Sequence, residues 1–246
     1  MVGPMLADAS AMLLTLGVLA LAAGAAGFGW LMYKCPSPWP VTLYWAATCL
    51  YCKAVFRVRR IGPSPVPASG PVVVVANHTS AIDPLLLVAC IPQRVPAFLV
   101  AQEFSDPPIF GRVVKAVDCI PVRRDGQDST ATRAALRFLK SGRLLGIFIE
   151  GRIARPGEVL EAKDGAVMLA LHSQALVVPA HISGTRWVPG VLAAFFLPQN
   201  ARVRFGEPID LRAWAGPHPD KETVARVSER LLARIRELGQ PRKVRK

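Results

Sequence analysis

The chain begins with a long uncharged run: no Asp, Glu, Lys or Arg occurs from residue 9 to residue 33. As a helix this run measures roughly 37 Å at about 1.5 Å per residue, against a hydrocarbon core of ~30 Å, which predicts a tilted transmembrane span. It exceeds a signal-peptide core and no basic residue precedes it, so it reads as a retained anchor. A Pro-broken turn, Cys35-Pro36-Ser37-Pro38-Trp39-Pro40, leads to a second uncharged stretch, 41–52. At about 18 Å that helix is too short to span. With Trp39, Tyr44, Trp45 and Tyr51 on it and Arg57, Arg59 and Arg60 after it, it is expected to lie in the membrane interface. The Pro-rich stretch 62–67 reads as a linker. Two units follow from this: an anchoring region with a basic linker over 1–62, and a folded domain over 63–246.

From residue 71 the pattern alternates between short apolar runs and helical periods, which predicts an α/β domain. Strands are expected at 72–76, 97–101, 117–122, 144–149, 176–182 and 202–205. Helices are expected from Asp83-Pro84, with Asp at the N-cap and Pro at N1, and over 107–116, 130–140 and 165–173. A last helix, 221–238, carries an apolar stripe at Val224, Val227, Leu231, Ile235 and Leu238, stopped by Gly239 and Pro241. The expected fold is a single mixed sheet with helices on both faces, preceded by a two-helix membrane anchor.

Charge narrows the partners. The chain of 246 residues carries 30 Lys and Arg against 17 Asp and Glu, a formal charge of +13. Its first cations follow directly on apolar segments, which points to anionic membrane lipids; no motif for nucleic acid is present. The positive-inside rule places the domain on the cytoplasmic side of the cell membrane. Five unevenly spaced cysteines fit a reducing compartment, and Cys49-x-x-Cys52, in an apolar aromatic stretch, reads as buried small side chains rather than a zinc or redox pair.

Three strand ends hold the candidate chemistry. The first is Asn77-His78-Thr79-Ser80-Ala81-Ile82-Asp83, at the end of the 72–76 strand. An imidazole there can take up a proton near neutral pH if a carboxylate holds its other nitrogen. His78 and Asp83 do not align on one helix face, so they meet only if the loop turns back. Asp83 could equally cap the next helix, and the two uses compete for its oxygens. The second is Phe148-Ile149-Glu150-Gly151-Arg152, where Gly permits close backbone approach and Arg offers a fork of donors to phosphate. The third is Ile120-Pro121-Val122-Arg123-Arg124. His172 and His218 read as structural.

Taken in order, Asn77-His78-x-x-x-x-Asp83, the Arg124 region, Glu150-Gly151 and Val177-Val178-Pro179 resemble the four blocks of the glycerolipid acyltransferase family, across 72–209. The resemblance implies His78 as general base for an acceptor hydroxyl and Asp83 as the group that orients it. Arg124 would bind the acceptor phosphate, Glu150 and Gly151 would shape that site, and Pro179 would sit at the edge of an acyl pocket. It further implies direct transfer from the thioester of acyl-CoA or acyl carrier protein to a lysophospholipid such as lysophosphatidic acid, with no cofactor, no metal and no acyl-enzyme. The absence of a Gly-x-Ser-x-Gly elbow agrees.

The chain departs from the family pattern at Asp118, where the second block opens with Gly, and at Arg152-Ile153, where the third carries Thr-Arg. Arg152 is expected to supply the displaced cation. The Glu-Gly-Arg-Ile form is similar to the branch acting on lysophosphatidylethanolamine, so the headgroup stays open between the two lysolipids. A catalytically silent lipid-binding protein is a third reading, opposed by the complete His78/Asp83 pair.

Overall fold

The computed structural model describes residues 22–27, 29–30, 33, 38–105, 108–123, 128–215 and 220–240. Helix α1 (Trp39–Ala54) precedes strands β1 (Arg59–Ile61) and β2 (Val72–Ala76), then α2 (Asp83–Cys90), β3 (Ala97–Ala101), α3 (Pro108–Ala116) and β4 (Ile120–Val122). There follow α4 (Ser129–Lys140), β5 (Leu144–Phe148), α5 (Gly165–Ser173), β6 (Leu176–Ser183), α6 (Val191–Phe196), β7 (Arg202–Phe205), α7 (Arg212–Ala215) and α8 (Lys221–Gly239).

The strands form one sheet in the order β1-β7-β6-β2-β5-β3-β4. All neighbours are parallel except β6 and β7, so β1 and β7 run against the other five. Side chains alternate along each strand, and the two halves of Val72–Ala76 therefore serve two cores. Val72, Val74 and Ala76 pack with α1, α2 and α6; Val73 and Val75 pack with α4, α5 and α8. A run apolar at every position is what a strand covered on both faces requires.

The expected mixed sheet with helices on both faces is present, and three sequence expectations change. Residues 59–61 do not form a basic linker: Arg59, Arg60 and Ile61 pair with Arg202, Val203 and Arg204, extending the sheet across the boundary drawn at 62. The short apolar helix is packed on the domain, with Trp45 and Cys52 in the α1–α2 core. The strand expected at 117–122 starts only at Ile120, because Asp118 takes φ +54°. That left-handed value explains why the family carries Gly there; Asp is among the few other residues that tolerate it.

Of the 9–33 run, residues 22–27, 29–30 and 33 are described; they are helical and exposed, and the rest lies outside the described residues. Among the described residues no helix is long and apolar enough to cross a membrane. Cys49 and Cys52 both direct their Sγ atoms at backbone carbonyls of α2, those of Ala89 and Leu85.

Candidate active site

β2 ends at Ala76, and the chain that follows is fixed on both sides. The Asn77 amide clips onto β6, donating to the Ile182 carbonyl at 3.0 Å and accepting the Ile182 N–H at 2.8 Å. On the β5 side, the His78 N–H donates to Glu150 Oε2 at 2.7 Å, and the His78 carbonyl accepts the Ala154 N–H at 2.9 Å. Both side chains that hold this turn, Asn77 and Glu150, are buried. Buried hydrogen bonds to a carboxylate are the expensive kind to leave unmade, so the turn has little freedom to move.

The loop then turns back on Asp83. Its Oδ2 accepts from the Thr79 N–H at 2.7 Å, the Ser80 N–H at 2.8 Å and His78 Nδ1 at 3.0 Å. The competition between capping and pairing is resolved in favour of pairing: Asp83 starts α2 without any side-chain cap, its carboxylate directed backward into the loop. Asp83 is fully buried while the His78 side chain keeps 15% exposure. A buried carboxylate on Nδ1 selects the tautomer whose Nε2 is free to accept a proton.

Aromatic rings set the plane of the imidazole. His78 stacks on Phe148 at a centroid distance of 3.9 Å and 12° between planes, and Phe98 lies parallel beyond it at 6.0 Å from Phe148. Room for Phe98 is made by Gly146, where an added Cβ would fall 2.3 Å from the ring. Gly146 carries no motif, and sequence reading passed over it; a Gly inside an otherwise apolar strand was the available signal.

His78 lies on a cavity of about 1460 Å³, large beside a typical small-molecule pocket of roughly 300–1,000 Å³. The cavity exists because the sheet splits. β3 and β5 are paired only at Ala97–Leu145 and Phe98–Gly146, whereas β3 continues with β4 as far as Ala101–Val122. The opening is lined by both cores: Leu85 and Phe148 from the α2 side, and Ala135 and Leu169 from the α4–α5 side. Most of the lining is aliphatic or aromatic, with Arg133, Arg152 and Lys163 as its cations.

The other expected site residues are placed as follows. Gly151 adopts φ +71° and lies against Lys163, whose Cγ would be 3.3 Å from a Cβ at position 151. Arg152 lines the cavity, but its guanidinium is held by Glu158 in a two-pronged ion pair, with Arg152 Nη1 2.8 Å from Oε2. Hydrogen bonds from Arg152 and from the Arg155 N–H hold the Glu158 carboxyl down at about 2. Arg124 lies outside the described residues, as does His218. Pro179 is buried in β6, its ring against Gly206 and away from the cavity, so it does not form the edge of an acyl pocket. Lys163, not singled out from the sequence as a site residue, lines the cavity together with His78. Among the described residues no group of three or more His, Cys, Asp or Glu is arranged to hold a metal ion.

An imidazole held by a buried carboxylate beside a large, mostly apolar cavity can serve acyl transfer, and the family is settled by comparison with known proteins. The profile of the Acyltransferase family matches residues 57–183, just over half of the chain. The chain belongs to that family and is an acyltransferase. It is similar to the 1-acyl-sn-glycerol-3-phosphate acyltransferase of Bacillus subtilis, 28% identical over 70% of this chain and 83% of that protein. A probable 1-acyl-sn-glycerol-3-phosphate acyltransferase of Mycoplasma pneumoniae is 31% identical over 55% of this chain and 52% of its own length. The fold matches the crystal structure of PlsC, the 1-acyl-sn-glycerophosphate acyltransferase of Thermotoga maritima, with a TM-score of 0.63, 23% identity and 80% of each chain covered.

Proposed function

We propose that this acyltransferase moves a fatty acyl group from acyl-CoA or acyl carrier protein to the sn-2 hydroxyl of lysophosphatidic acid, making phosphatidic acid. The observation that carries the reading is His78 Nδ1 at 3.0 Å from a buried Asp83 on a large apolar cavity. The names of the relatives in Bacillus and Mycoplasma support the acceptor. His78 Nε2 takes the proton of the acceptor hydroxyl as its oxygen attacks the thioester carbonyl carbon. The tetrahedral oxyanion then collapses, the C–S bond breaks, and the imidazolium returns the proton to the departing thiolate. Asp83 stabilises the imidazolium between these steps. Glu150 acts through the His78 backbone as a positioning residue. Arg124, Arg152 and Lys163 are the cations for the acceptor phosphate, and no cofactor enters the cycle. The uncharged 9–33 segment anchors the chain in the cell membrane, with the domain on its cytoplasmic side.

One observation favours a second acceptor. With Ile153 at the third block's Arg position and Arg152 engaged by Glu158, the cavity lining has fewer free cations for a phosphomonoester among the described residues. A diester headgroup such as that of lysophosphatidylethanolamine needs fewer. Purified protein in detergent, assayed with a panel of lysolipids, separates the two readings. Lysophosphatidic acid as the preferred acceptor, with Arg152→Ala raising its KM strongly, supports the first. A preference for lysophosphatidylethanolamine with an unchanged KM in Arg152→Ala supports the second and removes Arg152 from the site. Lipid binding without turnover of any acceptor, unaffected by His78→Ala, would leave only a lipid-binding role.

A further inference from the structure

α6 is a six-residue helix that the sequence patterns did not announce, and its two sides face different surroundings. Val191 and Phe195 line the catalytic cavity. Leu192 and Phe196 point the other way and are 72% and 78% exposed. The segment is fastened to α1: the Tyr51 hydroxyl donates to the Phe195 carbonyl, and the Ala201 N–H donates to the Phe56 carbonyl at 3.0 Å. On α1 itself Leu50 is also 72% exposed. Large apolar side chains left out together on one side of a domain mark a surface that something covers.

Charge identifies what covers it. No Asp or Glu occurs in residues 38–82, which hold α1, or in 184–206, which hold α6. Exposed cations flank it instead: Lys53 and Arg57 lie beside Val55, whose carbonyl accepts the Gln199 N–H, and Arg186 is tied to the Gln199 side chain. Exposed apolar side chains flanked by these cations fit an anionic lipid surface, into which such a segment sinks to the headgroup–acyl boundary. A protein partner would have to cover an acid-free rim with its own carboxylates and leave the cavity mouth open.

We propose that α6 is a membrane-inserted lip, a contact independent of the N-terminal anchor, across which an acyl chain passes between an anionic bilayer and the cavity. The passage of a chain rests on the lysolipid reading above; the insertion of the lip does not. The full chain carrying Phe196→Cys, labelled with an environment-sensitive fluorophore and read against the identically treated unsubstituted chain, tests insertion directly. Vesicles rich in phosphatidylglycerol should shift the label to the blue and bring it within reach of nitroxide lipids. A label that stays in water on such vesicles overturns the proposal. So does a concentration-dependent shift without vesicles, which would mean that a second copy covers the patch. In a second arm, the Leu192→Ser/Phe196→Ser double variant should turn over lysolipid dissolved in detergent at the unsubstituted rate, yet lose on the order of ten-fold on lysolipid presented in vesicles. Equal rates in both settings overturn the passage of the acyl chain. If the unsubstituted chain acts on no lysolipid while the label still inserts, the functional reading has failed and the lip stands.

Discussion

The two faces of the sheet are built by different rules. On the face of α4, α5, α7 and α8 the helices look like those of an ordinary water-facing domain. α4 and α8 begin on Asp128 and Asp220, whose carboxylates accept N–H groups of the first turn, and α8 mixes Glu222, Glu229 and Glu237 among its arginines. Among the described residues of those helices, Met168 is the one exposed large apolar side chain. On the face of α1, α2 and α6 no helix has a side-chain cap; they start from Pro38, Ile82 and Gly190. That face also exposes Trp39, Leu50, Leu192 and Phe196 and carries the His78/Asp83 pair. A surface optimised for water spends its polar groups on caps and mixed charges. The opposite face lacks both, as the lipid contact proposed for α6 would require.

The largest effects should fall on the face that carries His78 and Asp83. His78→Ala is expected to lower kcat by roughly 10²–10⁴-fold if the ring is the proposed base, with little change in Tm because its side chain keeps 15% exposure. A variant with full turnover would show that the face has no catalytic role. Asp83→Asn should lose about as much or somewhat less, because the amide can still accept the Thr79 and Ser80 N–H groups while failing to stabilise an imidazolium. Activity retained in that variant would separate the pair.

Between the faces, Gly146→Val should press on Phe98 and through Phe148 on His78. It is expected to cost about 1–3 kcal/mol of stability, at about 2–4 °C of Tm per kcal/mol, together with a fall in kcat. An unchanged Tm by circular dichroism would mean that the rings have room to give.

The smallest effect belongs to the water-side face. Asp220→Ala should lower Tm slightly without touching turnover. Hydrogen bonds from Thr223, side chain first and backbone next, hold the Asp220 carboxyl below its ordinary value. The cap's contribution is therefore present above the unfolded carboxylate value of about 3.9 and lost as pH falls through the lower folded one. The Tm difference between variant and parent should close on acidification; a difference that persists at low pH would assign the effect to something other than the charged cap.

What was readable in advance was local. A strand apolar at every position declared a sheet covered on both sides, and a His five residues ahead of an Asp at its end declared a turn that could fold back on itself. Both follow from bonds between near neighbours along the chain, where residue type and spacing constrain the backbone directly. Asp118 stands where the family motif carries Gly, and its left-handed backbone gives the physical reason.

Other features came into being only when distant segments met. Glu150 is 72 positions from the amide it holds, and β1 joins the sheet through a partner more than 140 residues away. The cavity arises from two strands that part after two paired positions, a feature no pattern within either strand can encode. α6 is not among the predicted helices, because six residues form no recognisable period; its helix is held by α1 and the cavity wall, not by its own propensity. The sequence by itself determined the central strands, the longer helices and the candidate His78/Asp83 turn, while β1 and α6 needed their distant partners. Tertiary structure decided what stands around that site, because burial, ring stacking and the split sheet are properties of neighbours in space.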